Sequence, residues 1–263
     1  MQSFIQFMPT KIVFGQEAEK EAGKLARESG VSKVLLVYGG GSVVRSGLLD
    51  TVKSSLEKEG ILYTELSGVK PNPRLGLARE GVKKALEFGS EMMLAVGGGS
   101  VIDTAKAVAV GAENPGTDIW DVWMGKVSVD AAKPVGAVLT ISAAGSEMSD
   151  SAVLTNEETG KKAGFNSDIV RPKFALMNPK LTYTLPKYQL ACGIVDILMH
   201  TLERYFTPVS GNMLTDEIAE GLMRTLIENG KAAYENQTDY DAMSEIMWCG
   251  SLSHNNLTGL GRP

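Results

Sequence analysis

At 263 residues, 43% hydrophobic and 22% charged, with a formal net charge of −5, the chain has the length of roughly two domains and the composition of a soluble globular protein. The acidic balance offers no basic stripe to nucleic acid, and no run approaches the ~18 consecutive apolar residues of a membrane span. Cys192 and Cys249 lack the density of a disulfide scaffold and the spacing of a CxxC site, and the start MQSFIQFMPTKIVFG lacks the pattern of a secretory leader, so a reducing cytoplasm is the expected location.

Along the first two-thirds, short β-branched runs alternate with helical patterns, as in a parallel sheet covered by helices. KVLLVY (33–38), MMLAV (92–96), VGAVLTI (135–141) and FALM (174–177) are the expected strands. SGLLDTVKSSLEKEG and NPRLGLAREGVKKALEFG carry apolar residues at helical spacing and end in Gly, a common helix stop, so both are expected crossover helices.

Two segments, YGGGSVV (38–44) and VGGGSVIDTAKAVAVGA (96–112), each place three glycines directly after an expected strand. Gly97, Gly98, Gly99 and Ser100 open a strong helix, where free N–H groups and the helix dipole favour an anion and absent side chains admit a pyrophosphate. One such loop is equally well a tight strand-to-helix turn; two in one α/β unit point to a nucleotide. The spacing is not GxGxxG, so a variant nucleotide fold is implied. After Tyr38 comes Gly39, and Gly40, Gly41 and Ser42 follow with no carboxylate to repel a 2′-phosphate, which favours NADP over NAD.

From about Leu185 the texture becomes wholly helical: KYQLACGIVDILMHTLERYF, MLTDEIAEGLMRTLIENGKAAYENQ and YDAMSEIMWCGSLSHNNLTG. This sets a boundary between an α/β domain, 1–184, and a helical domain, 185–263. Within the first helix, Asp196 and His200 stand one turn apart on one face, inside the apolar run GIVDILMH. Taken alone, such a pair is more often a hydrogen-bond relation than two metal ligands. Their apolar neighbours would bury a polar side chain, which a divalent cation, Fe(II) or Zn(II), would satisfy.

GGGSVIDTAKAVA, TISAAGSEMS (140–149), NPKLTYTLP (178–186) and GIVDILMHTLERYF together resemble the iron-containing (group III) alcohol dehydrogenases, closest to the NADP-preferring butanol dehydrogenase branch, over essentially the whole chain. The resemblance implies a Rossmann-like α/β nucleotide-binding domain followed by an all-α domain, the fold shared with dehydroquinate synthase. It implies that Gly97 to Ser100 cradle the cofactor pyrophosphate, with Asp103 and Lys106 behind them. It further implies that Thr140, Ser142 and Ser146, with Glu147, lie toward the nicotinamide, and that Val69, Pro71 and Asn72 approach the adenosine end. A lysine near Lys161 and Lys162 can lie by the cofactor in relatives, although both read first as turn-surface charges.

In the family the metal is held by an Asp and three His residues, of which Asp196 and His200 match two. The other two lie, in relatives, beyond a GxGRxGDWxxH-like stretch, whereas this sequence ends at GLGRP and has only two histidines, His200 and His254. The expectation is therefore a C-terminally truncated chain in which His254 is a polar helix residue rather than a ligand. The implied chemistry is hydride transfer between NADP (or NAD) and a metal-bound primary alcohol or aldehyde, in a cytoplasmic homodimer. The competing readings are a non-catalytic nucleotide-binding module, or a relative of glycerol dehydrogenase or dehydroquinate synthase.

Overall fold

Valine and leucine fill KVLLVYG on both faces, so this strand must be covered on both sides. In the computed structural model, which describes residues 2–261, β2 (Lys33–Gly39) is an inner strand of a six-stranded sheet. The others are β1 (Lys11–Phe14), β3 (Leu62–Val69), β4 (Met92–Gly97), β5 (Val135–Leu139) and β8 (Phe174–Met177), in the order β1-β8-β5-β4-β2-β3 with every pair parallel. Side chains alternate between two cores. Leu35, Val37, Met93 and Ala95 face α4 (Leu75–Phe88) and α5 (Gly99–Glu113), while Val34, Leu36, Met92 and Leu94 face α1 (Ala22–Glu28) and α3 (Leu48–Lys58).

The four expected strands are present, with one trimmed end: β5 stops at Leu139, and Thr140 and Ile141 leave the sheet to form the following loop. The sequence reading missed β1 and β3, which are the two edges, half-exposed and therefore without a continuous apolar run. It also missed the two-stranded antiparallel hairpin β6 (Ser151–Thr155) and β7 (Lys162–Asn166). Both crossover helices form, and a four-residue α2 (Ser42–Arg45) precedes the first of them. A short α6 (Ile119–Trp123) follows α5.

The connection from β2 runs outward to β3, whereas that from β4 runs the other way to β5. The carboxyl ends of β2 and β4 thus flank a topological switch point, the crevice where open α/β sheets take their ligands.

After β8 the chain is helical: α7 (Lys187–Tyr205), α8 (Met213–Glu235) and α9 (Tyr240–Ser253), closed around Leu190, Ile197, Leu222, Leu226, Met243 and Ile246. Cys249 packs in this core as a free thiol, and Cys192 is exposed and free. Val195, Met199, Met213 and Leu214 stay exposed on α7 and α8. No helix among the described residues is long and apolar enough to cross a membrane. Residues 262 and 263, the end of GLGRP on which the expected truncation was read, lie outside the described residues.

Candidate functional site

Both glycine loops stand at the switch point, one after β2 and one after β4. Their glycines answer to different constraints. At the second loop a Cβ on Gly97 would overlap Val101 at 2.5 Å, one on Gly98 would overlap Ile141, and one on Gly99 would press on Ala144 at 3.2 Å. Close packing of strand, helix and the 140–149 loop dictates glycine there. At the first loop Gly41 is set by its φ of 134°, but Gly40 has nothing within 4 Å, and Gly39 would meet only the Val69 carbonyl at an ordinary 3.4 Å. Neither has a positive φ. The fold does not require glycine at 39 or 40, and their bare backbone leaves room beside the crevice.

Ser100 sits in the first turn of α5, whose middle is buried on all sides. In so apolar a helix Asp103 and Lys106 have no wet face, and each is satisfied internally. Asp103 accepts from Ser146 Oγ at 2.6 Å and from the Val153 N–H at 3.1 Å. Lys106, fully buried, donates to the carbonyls of Ser149 at 2.9 Å and Ser151 at 2.8 Å, and its burial pushes its pKa down to about 8. Asp103 and Ser146, expected at the cofactor, are thus engaged with each other inside the protein. These bonds hold the 140–153 segment against α5.

Val69 is buried at the end of β3, paired to Gly39. Pro71 and Asn72 follow on the exposed rim, Asn72 with a φ of 59°. Lys162 on β7 reaches Asn72 Oδ1 at 3.3 Å, and the Thr155 N–H donates to the Pro73 carbonyl at 2.8 Å, so the β6–β7 hairpin braces this rim. Thr140 is anchored at the second loop through its N–H to the Gly97 carbonyl, 3.2 Å. Two residues on, the Ser142 hydroxyl is buried with no hydrogen-bond partner among the described residues.

The 140–149 loop is also the seam with the helical unit. A Cβ on Gly193 of α7 would overlap the Ser142 carbonyl, and one on Gly145, at φ 61°, would come within 2.8 Å of both the Gly250 carbonyl and His254 Cβ. Glu147, buried, accepts from Ser251 on α9. Burial holds the Glu147 carboxyl above the usual range. This seam brings the loop against the helix that carries Asp196 and His200.

On α7, Asp196 Oδ1 and His200 Nε2 lie 3.9 Å apart, beyond a hydrogen bond, and His200 Nδ1 is buried without a partner among the described residues. An unsatisfied imidazole facing a carboxylate is a chemically suitable half-set for a divalent cation. His254 stacks on His200 with ring centroids 4.6 Å apart. Its Nδ1 lies 3.0 Å from the Arg204 guanidinium, a pure donor, so Nδ1 accepts and the neutral ring carries its proton on Nε2. His254 therefore has no free lone pair for a metal. Among the described residues no group of three or more His, Cys, Asp or Glu could hold an ion.

Sequence reasoning missed the structural weight of Lys106 and Glu147. The signal was there for Lys106, since IDTAKAVAV has no polar face and its lysine must be buried. Nothing in the linear sequence pairs Glu147 with Ser251. Also missed were Glu65, held by Tyr38 at 2.6 Å and Lys53 at 2.8 Å, and Arg45 above the first loop.

A parallel sheet with a crevice at its switch point, closed by one loop against a helix bearing an oxygen and nitrogen pair, defines a two-part α/β plus all-α scaffold. A sequence profile described as iron-containing alcohol dehydrogenase matches residues 9–179, and one described as the C-terminal region of the Fe-containing alcohol dehydrogenase family matches residues 190–259. The chain belongs to the iron-containing alcohol dehydrogenase family.

NADH-dependent butanol dehydrogenase A of Clostridium acetobutylicum is 42% identical over 262 residues, 100% of this chain and 67% of its own length. An NADPH-dependent aldehyde reductase of Escherichia coli is 39% identical, again over 100% of this chain and 67% of its own. The crystal structure of an NADH-dependent butanol dehydrogenase A from Thermotoga maritima superposes with a TM-score of 0.97 at 43% identity, covering 100% of this chain and 66% of that one. The chain thus spans about two thirds of the length of these relatives. Their names differ in the cofactor they use, so the choice between NADH and NADPH falls to this chain's own residues.

Proposed function

We propose that the chain is an alcohol and aldehyde oxidoreductase that takes NADP(H) in preference to NAD(H) and acts on primary alcohols or aldehydes. The observation that carries this reading is the seam: the loop of Thr140 and Ser142, anchored to the second glycine loop, is pressed by Gly193 and Gly145 onto the helix of Asp196 and His200. Residues 1–184 would bind the dinucleotide, and the helical unit from 185 would supply the metal half-set. The pyrophosphate would lie between Gly39–Ser42 and Gly97–Ser100, with the adenosine end over Val69, Pro71 and Asn72 and the nicotinamide toward Thr140 and Ser142. The unpartnered Ser142 hydroxyl is free to orient that ring.

Asp196 and His200 would hold Fe(II) or Zn(II), which supplies Lewis-acid polarisation of a substrate oxygen when bound. The chain's own contribution is placement: the internal bonds of Asp103, Lys106 and Glu147 fix the loop, and the helical unit shields the reacting end from water. A homodimer in the cytoplasm belongs to the same reading, as does the lack of a nucleic-acid partner, which the net charge of −5 favours.

The competing reading is that the chain binds cofactor without turnover. Elemental analysis of protein purified without chelator, with NADPH-dependent reduction of butanal, separates the two. About one tightly held iron or zinc per chain, lost in His200→Ala together with turnover, is expected for the oxidoreductase. No retained metal, with His200→Ala indistinguishable from the parent, leaves only the cofactor-binding reading.

A further inference from the structure

We propose that Arg45 reads the 2′-phosphate of the dinucleotide and so sets the preference for NADPH over NADH. The proposal rests on the reading of the switch-point crevice as a dinucleotide site and deepens it by naming a specificity residue.

Arg45 closes the short turn after the first glycine loop, its N–H bonded to the Gly41 carbonyl at 3.0 Å. Its side chain folds back over the loop: a Cβ built on Gly41 would stand 3.0 Å from Nη1. Three of the other four arginines of the α/β unit are tied down, whereas the half-buried Arg74, like Arg45, makes no side-chain hydrogen bond or ion pair among the described residues. Arg27 donates to the Glu59 carbonyl, Arg79 to Asp118, and Arg171 to Asp168 and the Met148 carbonyl. The Arg45 guanidinium makes no hydrogen bond or ion pair among the described residues, and it is exposed. A guanidinium held over bare backbone with all its donors unspent is suited to bidentate capture of a phosphate.

The surroundings remove what would compete. No acidic residue occurs from Tyr38 to Leu49. Glu65, the carboxylate that reaches Tyr38, is already matched by Lys53 at 2.8 Å and by the tyrosine hydroxyl at 2.6 Å. Gly39 and Gly40 leave space that neither packing nor a positive φ explains. Gly39 pairs with Val69, so this space lies on the β2–β3 side of the crevice, where the adenosine ribose would sit. The exposed Ser42 hydroxyl is a second donor on the same loop.

The experiment titrates the parent chain, R45Q and R45K with NADPH and NADH by nicotinamide fluorescence, and with 2′,5′-ADP and 5′-ADP as competitors. R45Q should weaken NADPH and 2′,5′-ADP by about tenfold or more, as loss of a charge-assisted contact does, and leave NADH and 5′-ADP nearly unchanged. R45K should restore part of the loss, because the charge returns without the fork. An equal loss for both dinucleotides would overturn the proposal and move Arg45 to the shared pyrophosphate. Unchanged NADPH binding would overturn it outright. A parent chain that binds neither dinucleotide would overturn the crevice reading itself, and the Arg45 assignment with it. Because Arg45 is exposed, thermal unfolding should be the same for all three proteins, so a binding change is not a folding change.

Discussion

The two glycine loops share the letters GGGS, follow neighbouring parallel strands and face one crevice, yet they are held by opposite means. The second is built into the protein: Gly97, Gly98 and Gly99 are filled against by Val101, Ile141 and Ala144, and the helix they open is riveted through Asp103 and Lys106. The first is open, with nothing near Gly40 and an unpaired guanidinium above Gly41. Glycine can thus be demanded by the fold or stand where the fold leaves open space. The motif is the same, and only the neighbours distinguish the cases.

The largest test of that contrast is Lys106→Met. It leaves the Ser149 and Ser151 carbonyls without their donor and removes the cation from the field of the buried Asp103 and Glu147. A loss of about 3–5 kcal/mol in urea unfolding is expected, as for a broken buried charge network. A variant within ~0.5 kcal/mol of the parent would mean the second loop is not held this way. Gly98→Ala comes next: its methyl overlaps Ile141, and overpacking should cost about 1–3 kcal/mol. Its counterpart Gly40→Ala, with open space and no positive φ, should unfold like the parent while binding cofactor less tightly.

Charge at the first loop gives a further test. Gly39→Asp places a carboxylate beside the proposed 2′-phosphate and should lower NADPH affinity about tenfold relative to NADH in side-by-side titrations. An unchanged ratio would sink the NADP assignment at that loop.

The pH dependence sharpens the second loop. Burial lowers Lys106 from 10.5 to about 8, so the unfolded chain keeps its proton to higher pH than the folded one. The stability this residue contributes is therefore least below about 8 and rises toward 10.5. The difference in unfolding free energy between the parent and K106M should widen over that window; a narrowing would show that the sign is wrong. The smallest effect is expected at Ser142→Ala. Its hydroxyl is buried and unpartnered, so stability should hold or rise slightly, while cofactor affinity falls if the hydroxyl meets the nicotinamide.

Much of the scaffold was legible without coordinates. Fully buried strands carry continuous apolar runs, and amphipathic helices carry a stripe, so β2, β4, β5 and β8 and the helices around them could be read from local pattern. The edges β1 and β3 could not, because a strand wetted on one side and paired on the other loses that signal. Asp196 and His200 were found as a pair because a helix turn is a local fact. Asp103 and Ser146 were expected at the cofactor from their motifs; that they also bond each other across 43 residues of sequence is a tertiary fact no local pattern shows.

Sequence by itself determined the alternation of strand and helix, the change to an all-helical unit, the positions of both glycine loops and the Asp196–His200 pair on one helix face. These follow from periodicity and from short-range spacing, which the backbone geometry of each element fixes. Tertiary structure alone decided which glycines are filled and which are open, that Glu147 clasps Ser251, that Arg204 claims the Nδ1 lone pair of His254, and that Arg45 is left unpaired over the first loop. Each of these depends on what a distant segment places within a few ångströms, and close packing sets that distance only once the whole chain has folded.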